Sequence, residues 1–471
     1  LAISISPDQS QRVSQADELS FSFRRHPAMN SSTPRSPGRI SPSPPVPPDA
    51  SLFAAFVGLD WADQKHDIVL YDRRGGPPEH SVLLHTPEAI DAWASALRQR
   101  FGGQPIAVCF EQSRGAIAYA LLKYDFLILF PLAPARLAAY RESFSNSGAK
   151  DDPTDAALLL DYVLRHRDQL RVWQPDTPAT RELQLLAEAR REAVDQRTRL
   201  SNQLTAVLKR YYPQALVLVG QDVDTPLACD FLAKWPTLAA VQAAKPSTLR
   251  KFYYAHHCRQ EQRIVERLEL VQSAAPLTND TALIQAGTLQ VLCLIAQLRA
   301  LGQALGKYEA RLEELLDEHP DAALFRALPG AGPALAPRLL VAFGTDRQRF
   351  SGAHELQTLA GIAPVTKRSG KRCTVLRRWA CPKFLLQTFH EFAQCSRRKS
   401  AWAQAFYLLQ RSRGKGHHAA LRALAFKWVR ILFRCWKTHT PYSEQRYLES
   451  LQQRQAPLLA FLTTTTEDTW L

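Results

Sequence analysis

Residues 53–60, Phe-Ala-Ala-Phe-Val-Gly-Leu-Asp, decide how the N-terminal half is read. The stretch is apolar, carries Val57 and two phenylalanines, and ends on an acid. It reads as a buried strand with a polar end. Ile68 to Tyr71 supplies its hairpin partner, ahead of the turn Arg73-Arg74-Gly75-Gly76. Outward from this pair, the pattern predicts a short strand near Ser81–Leu84 and a helix from about Pro87 to Arg100. A buried strand over Ile106–Phe110 follows, ending in Glu111. Next come a helix around Gly115–Lys123, a strand over Phe126–Phe130 and a helix from Pro134. The order β-β-β-α-β-α-β-α suits a mixed sheet flanked by helices, as in ribonuclease-H-like nucleases.

The chain has 471 residues, room for two or three domains with buried cores. Its net charge of +15 is unevenly placed: Gly361 to Lys437 holds eighteen Lys and Arg against one acid, Glu391. The aromatic residues interspersed there, such as Trp379, Trp402, Trp428 and Trp436, mark this block as folded. A folded basic block of this density reads as a surface for nucleic acid, against the plainer alternative of a solvated basic face. The eight cysteines form no Cys-x-x-Cys pair, and His256-His257-Cys258 has no second half at zinc-site spacing. They are read as reduced thiols of a cytoplasmic, nucleoid-associated protein. No apolar run is expected to reach the length of a membrane span, and no signal-peptide h-region is read. Residues 31–48 are rich in Ser and Pro and are expected to be disordered. Met29 is the sole methionine in a chain written from Leu1, so residues 1–50 are read as a leader whose start is either placed too early or a non-AUG codon translated literally.

Residues 51–175 are therefore expected to form the sheet domain and 176–320 a helical region. A basic domain over 321–442 and a tail over 443–471 follow. From Pro178 to Tyr212 the pattern is helical, and Val291, Leu294, Leu298, Leu301, Leu305, Tyr308, Leu312 and Leu315 alternate spacings of three and four. That is a seam at coiled-coil period, which either packs on a helix of its own chain or joins two copies. Trp235 to Val271 reads as a small helical insertion. Leu328-Pro329-Gly330-Ala331-Gly332-Pro333, followed by an apolar helix, resembles a helix-hairpin-helix element. In such an element Gly330 and Gly332 would let backbone N–H groups approach a phosphate. Any tight turn could use the same glycines.

Four acids stand where a metal nuclease needs them. Asp60 and Glu111 end strands, and Asp152 and Asp155 share one side of the helix starting at Asp152. Two divalent ions roughly 3.5–4 Å apart require several converging carboxylates, and an all-oxygen site suits Mg2+. The same residues have structural readings. Asp152-Pro153-Thr154-Asp155 is a good helix start, and the other two acids could be polar strand ends.

Three segments then carry a specific resemblance: Phe56-Val57-Gly58-Leu59-Asp60-Trp61-Ala62, Cys109-Phe110-Glu111-Gln112-Ser113 and Lys150-Asp151-Asp152-Pro153-Thr154-Asp155-Ala156. They resemble the three motifs of the DEDD insertion-sequence transposases, which include Piv-type invertases and bridge-RNA-guided recombinases. The resemblance runs from Phe53 to about Tyr442 and implies a RuvC-like catalytic domain with Asp60, Glu111, Asp152 and Asp155 as metal ligands. Leu359-Ala360-Gly361-Ile362-Ala363-Pro364 and Lys367-Arg368-Ser369-Gly370-Lys371-Arg372 are similar to the family's second, serine-bearing domain. By that resemblance Ser369 is a nucleophile forming a phosphoserine link to DNA. The flanking cations Lys367, Arg368, Lys371 and Arg372 would hold the phosphate. Where the wider family often has a Lys-x-Gly-Asn-x-x-Leu-Arg element, this chain reads Arg377-Arg378-Trp379-Ala380-Cys381-Pro382. Arg377 and Arg378, with Arg422, Lys427, Arg430 and Arg434 on a helix, are expected to meet nucleic acid.

The expectation is thus an α/β domain joined to all-α regions, acting as a transposase on DNA with two Mg2+ ions. The resemblance also implies a structured guide RNA and a homo-oligomer, a dimer or tetramer, with no membrane partner. The rivals are a hydrolytic structure-specific nuclease, a Piv-like invertase and a catalytically inactive nucleic-acid-binding protein.

Overall fold

The computed structural model describes residues 52–111, 115–144, 152–370 and 372–462, without the side chains of Asp152 and Ala460. The leader and Lys371 lie outside the described residues, as do Lys150, Asp151, Gln112 and Ser113 of the motifs. Two compact units divide between Pro175 and Asp176.

The first unit runs β1 (Ala55–Asp60), β2 (Lys65–Asp72), β3 (Glu79–Leu84), α1 (Pro87–Phe101), β4 (Ile106–Glu111), α2 (Ala116–Leu121), β5 (Leu127–Leu132), α3 (Pro134–Glu142) and α4 (Asp152–Arg165). The five strands form one sheet in the order β3-β2-β1-β4-β5. The hairpin strands pair antiparallel, while β1–β4 and β4–β5 pair parallel. Both faces of β1 and β4 are covered, so these strands read as continuous apolar runs. Val57, Leu59, Val108 and Phe110 pack with Ile90, Leu97, Ile117 and Leu121 on one face. Phe56, Ala107, Cys109 and Phe130 pack with Ala156, Leu159 and Val163 on the other. Local chemistry sets the helix ends. Thr86 caps α1 by accepting from the Ala89 N–H, and Gly102 stops it at φ 61°.

The second unit opens with α5 (Pro178–Tyr211), followed by α6 (Ala215–Val219), α7 (Pro226–Lys234), α8 (Leu238–Gln242), α9 (Pro246–Ala255) and α10 (Glu261–Ser273). The 37-residue α11 (Thr281–Asp317) then returns along α5. The pair is antiparallel: Gly287 abuts the Tyr211 ring at one end, and Arg311 bridges Glu182 at 2.8 Å toward the other. The predicted seam is therefore occupied within the chain. Val291, Leu298, Leu305, Leu312 and Leu315 are buried, so the seam by itself no longer argues for self-association. One apolar helix does reach the length of a membrane span: α11 is long and apolar enough to cross a membrane by length and composition. Part of that apolarity is the stripe packed on α5.

Beyond α11 come α12 (Ala322–Arg326), α13 (Gly332–Phe343), α14 (Ala353–Leu359), β6 (Val365–Ser369), β7 (Arg372–Leu376), α15 (Lys383–Ser396), α16 (Ala401–Ser412), α17 (His417–Lys437) and α18 (Glu444–Gln453). A core around Phe343, Phe389, Trp402, Trp428 and Trp436 joins these helices to the ends of α5 and α11. The tryptophans are buried with their polar edges satisfied: Trp428 Nε1 donates to Ser396 Oγ at 2.8 Å and Trp436 Nε1 to the Gly344 carbonyl at 2.7 Å. The basic block is folded, as its aromatic content implied. It is not wholly helical, since β6 and β7 form an antiparallel ribbon.

Candidate functional site: a carboxylate sheet end and a basic serine ribbon

Strand register assembles the acids of the first unit. Leu59 pairs with Phe110 across parallel strands, so Asp60 and Glu111 are the next residues on adjacent strands and point to the same face. Gly58 and Cys109 lie on that face too, and α4 covers it. A Cβ on Gly58 would sit 2.1 Å from the Ala156 carbonyl oxygen and 2.4 Å from the Leu160 nitrogen. The glycine is what lets α4 seat on β1, and Asp155 is one residue from that contact. Asp60 is 7% exposed and Asp155 is fully buried.

The sequence reading missed two residues here. Asp67 lies directly opposite Asp60 in the β1–β2 pairing, on the same face, which extends the acids into a row. Like charges directly opposed across strands disfavour each other, so the row favours a cation. Arg141 of α3 binds Asp155 through both carboxylate oxygens, at 2.5 and 2.8 Å. Neither was legible without the register of β2 and the packing of α3. His66 also helps to fix the Asp60 turn. Its Nδ1 accepts the Ala62 N–H at 3.2 Å, and its Nε2 meets His85 Nδ1 at 2.9 Å. Burial, with His85 beside it, lowers the His66 pKa to about 4, so the ring is neutral and Nδ1 stays an acceptor.

By donor chemistry the acids fit a hard divalent cation. In this arrangement the fit is incomplete. Among the described residues, no group of three or more His, Cys, Asp or Glu is placed to hold an ion, and Arg141 occupies Asp155. An ion using Asp155 must displace that guanidinium.

In the second unit Ser369 ends β6 at the tip of the ribbon and is exposed. Gly370, at φ 53°, takes the left-handed conformation the reversal needs. Register sorts the flanking cations. Ser369 pairs with Arg372 and shares its face with Lys367, whereas Arg368 points to the opposite face. The expected cation cluster is thus divided, with Lys371 outside the described residues. Two short β-rich runs separated by Gly370-Lys371 are a hairpin signal that the sequence reading passed over.

The other predicted contacts fall unevenly. Arg377 stacks on Trp379 at 4.1 Å, and Arg378 Nε donates to the Ala363 carbonyl at 3.3 Å. Arg422 lines a cavity at the ribbon base, and Arg430 is exposed on α17. Lys427 is different: its ammonium lies over the rings of Trp402, Phe406 and Tyr447, a packing role. Gly330 also has an internal reason. At φ 80°, its Cβ would meet the Cys395 carbonyl carbon and oxygen at 2.8 Å, so the close approach is to α15. Gly332, exposed at φ 52° with open space around it, keeps room for a phosphate at the start of α13. No histidine neighbours Ser369 in sequence, but the fold gathers His390, His417 and His418. Burial, then His418, Arg422, His417 and Arg377, hold the His390 pKa down to about 4.

A five-stranded mixed sheet in this order, with acids at the ends of adjacent parallel strands, is compatible with the ribonuclease-H-like class of nucleic-acid enzymes. Comparison with known proteins narrows the class. A family model for DEDD transposases of the IS110 type matches residues 57–213, and the model for the transposase IS116/IS110/IS902 family matches residues 322–408. A Streptomyces coelicolor protein described as the mini-circle candidate transposase for IS117 is 29% identical over 410 residues, covering 86% of this chain and 99% of its own length. The insertion element IS110 43.6 kDa protein of Streptomyces coelicolor is 27% identical, covering 84% of this chain and 97% of its own length. The IS900 42 kDa protein of Mycobacterium paratuberculosis is 25% identical over 315 residues, 66% of this chain and 77% of its own length. The chain belongs to the DEDD insertion-sequence transposase family.

Proposed function

We propose that the chain cleaves and rejoins DNA through a serine–phosphate intermediate, using Ser369 as nucleophile and the acids Asp60, Glu111, Asp152 and Asp155 as holders of two Mg2+ ions. Family membership supports transposition as the activity. The observation that carries the finer reading is the placement of Asp60 and Glu111, next after the paired Leu59 and Phe110, at the ends of adjacent parallel strands beneath α4, the helix that bears Asp152 and Asp155. When bound, the ions would supply Lewis acidity at the scissile phosphate. Asp60 and Glu111 would hold them, with Asp67 adding to the negative row. In the step itself the Ser369 Oγ–P bond forms as the bond to one strand's oxygen breaks. The serine proton leaves to a base, and the released strand ends in a hydroxyl that takes up a proton. Lys367 and Arg372, on the serine's own face, would neutralise the phosphoryl oxygens. Gly332 and Arg430 would meet the DNA backbone. The reading extends, by family resemblance, to a structured guide RNA and to a homo-oligomer in which one protomer's acids serve another's serine.

The test incubates the protein with element-end DNA, its flanking RNA and Mg2+, and looks for a protein–DNA adduct resistant to SDS. Loss of the adduct in both Ser369→Ala and Asp60→Asn is the expected result. Cleavage without an adduct, unchanged in Ser369→Ala, would replace this reading with a hydrolytic nuclease.

A further inference from the structure

The base of the β6–β7 ribbon opens onto a cavity of about 510 Å³ shared with α16 and α17. That volume falls within the roughly 300–1,000 Å³ of small-ligand sites, so it holds one flat group and excludes a duplex. Its apolar lining comes from Ile362, Phe406, Ala419, Ala423 and Phe426. Four cations line the same space, Arg377, Arg378, Lys415 and Arg422, and no acid does among the described residues. Apolar walls with several cations and no acid suit a ligand that is flat and apolar at one end and anionic at the other.

Two further details point the same way. Gln410 is 4% exposed and lines the cavity. Its Oε1 accepts from Lys415 Nζ at 2.6 Å, which fixes the amide at the cavity wall. The amide offers N–H donors from which the edge of a base could accept. Beside the cavity, Trp379 is 76% exposed with the Arg377 guanidinium stacked on its ring. Together they form a platform on which a second base can lie. The lining also has a fixed shape. Gly361 sits at φ 69°, and a Cβ there would come 2.3 Å from Cys381 Sγ.

We propose that this cavity receives the base of one unpaired nucleotide, with the flanking phosphates held by Arg377, Arg378, Lys415 and Arg422 and the next base stacked on Trp379. The inference rests on the nucleic-acid reading of the second unit and specifies the form of nucleic acid it takes. In a paired duplex the bases are stacked inside, so a protein reaches the phosphates and the base edges in the grooves but cannot enclose a whole base. A single strand, or a nucleotide extruded from a helix, can offer its base as well.

The test uses the full chain and 2-aminopurine as the probe base, in a single DNA strand, in a single RNA strand, as a bulge in duplex DNA, and fully paired. Wild-type protein should bind the bulged duplex at least about tenfold more tightly than the paired one and quench its fluorescence. Ala423→Trp, which fills the cavity and removes no charge, should abolish that preference and leave paired-duplex affinity in place. Trp379→Ala, at an exposed position where the ring's stacking with Arg377 is what is removed, should reduce the preference several-fold. The two single strands show whether DNA or RNA is the better source of the nucleotide. Equal binding of bulged and paired DNA by wild type, or a preference that survives Ala423→Trp, would overturn the proposal. Loss of paired-duplex binding in folded Ala423→Trp would overturn it too, by making the cavity a general phosphate contact. Failure of wild type to bind any of the four would defeat the nucleic-acid reading beneath it, an outcome separate from failure of the preference alone.

Discussion

The acids of the first unit and the serine of the second are mounted in opposite ways. Asp60 and Asp155 are buried at the end of a sheet covered on both faces, where register and α4 fix them. Ser369 is exposed at the tip of a ribbon two strands wide. Groups that must converge gain from a packed frame that locks them. A group that must reach into a partner gains from display. Geometry in the first unit is thus set by folding, whereas under the proposed function geometry at the serine would be completed by what binds it.

Four substitutions put that contrast to the test. The largest effect is expected from Gly58→Val. Its side chain meets backbone of α4 and has no flexible neighbour to push aside, so the first unit should lose about 5 kcal/mol or more, read by chemical denaturation. Arg141→Met comes next. It leaves Asp155 buried without its cation, at a cost of about 3 kcal/mol in chelator. Mg2+ should restore much of that in the variant and do less for wild type, where the guanidinium competes. Equal responses to Mg2+ would remove Asp155 from the ligand set.

A smaller effect follows from pH. The folded unit holds His66 at about 4, below its ordinary 6.5, so unfolded chains take up a proton that folded ones refuse. The stability this ring contributes is complete above about pH 6.5 and declines as the pH falls toward about 4. Thermal midpoints across that window should fall less steeply in His66→Asn than in wild type. The smallest effect is expected at the ribbon tip. Ser369→Ala should change stability by no more than about 0.5 kcal/mol, because the side chain is exposed. A large loss there would mean the serine is structural and would erase the contrast.

The strands of the first unit were legible because their apolar runs end abruptly, on Asp60 and on Glu111. The acids were legible from those same ends. Their neighbours were not. Asp67 joins the row only through the Asp60–Asp67 pairing, and Arg141 reaches Asp155 only through the packing of α3 on α4. In the second unit the seam of α11 was plain in the sequence, but its partner was not. Spacing of three and four fits a helix of the same chain or of another equally well, and the fold supplies α5. The basic block announced its charge and concealed its sorting. Lys427 and Arg430 are three residues apart on α17, yet one is enclosed by three aromatic rings and the other is exposed. Sequence counts charges, whereas helix phase and strand register decide which of them reach solvent.

The ribbon gives the serine a parity. Side chains alternate between its two faces, so Ser369 keeps company with Lys367 and Arg372 only while the number of residues along β6 is held odd or even as it stands. One inserted residue would turn the hydroxyl toward the side of Arg368 and away from its present neighbours. Two would restore it, on a longer arm. Reach and facing can therefore vary separately along this strand, the first by pairs of residues and the second by single ones.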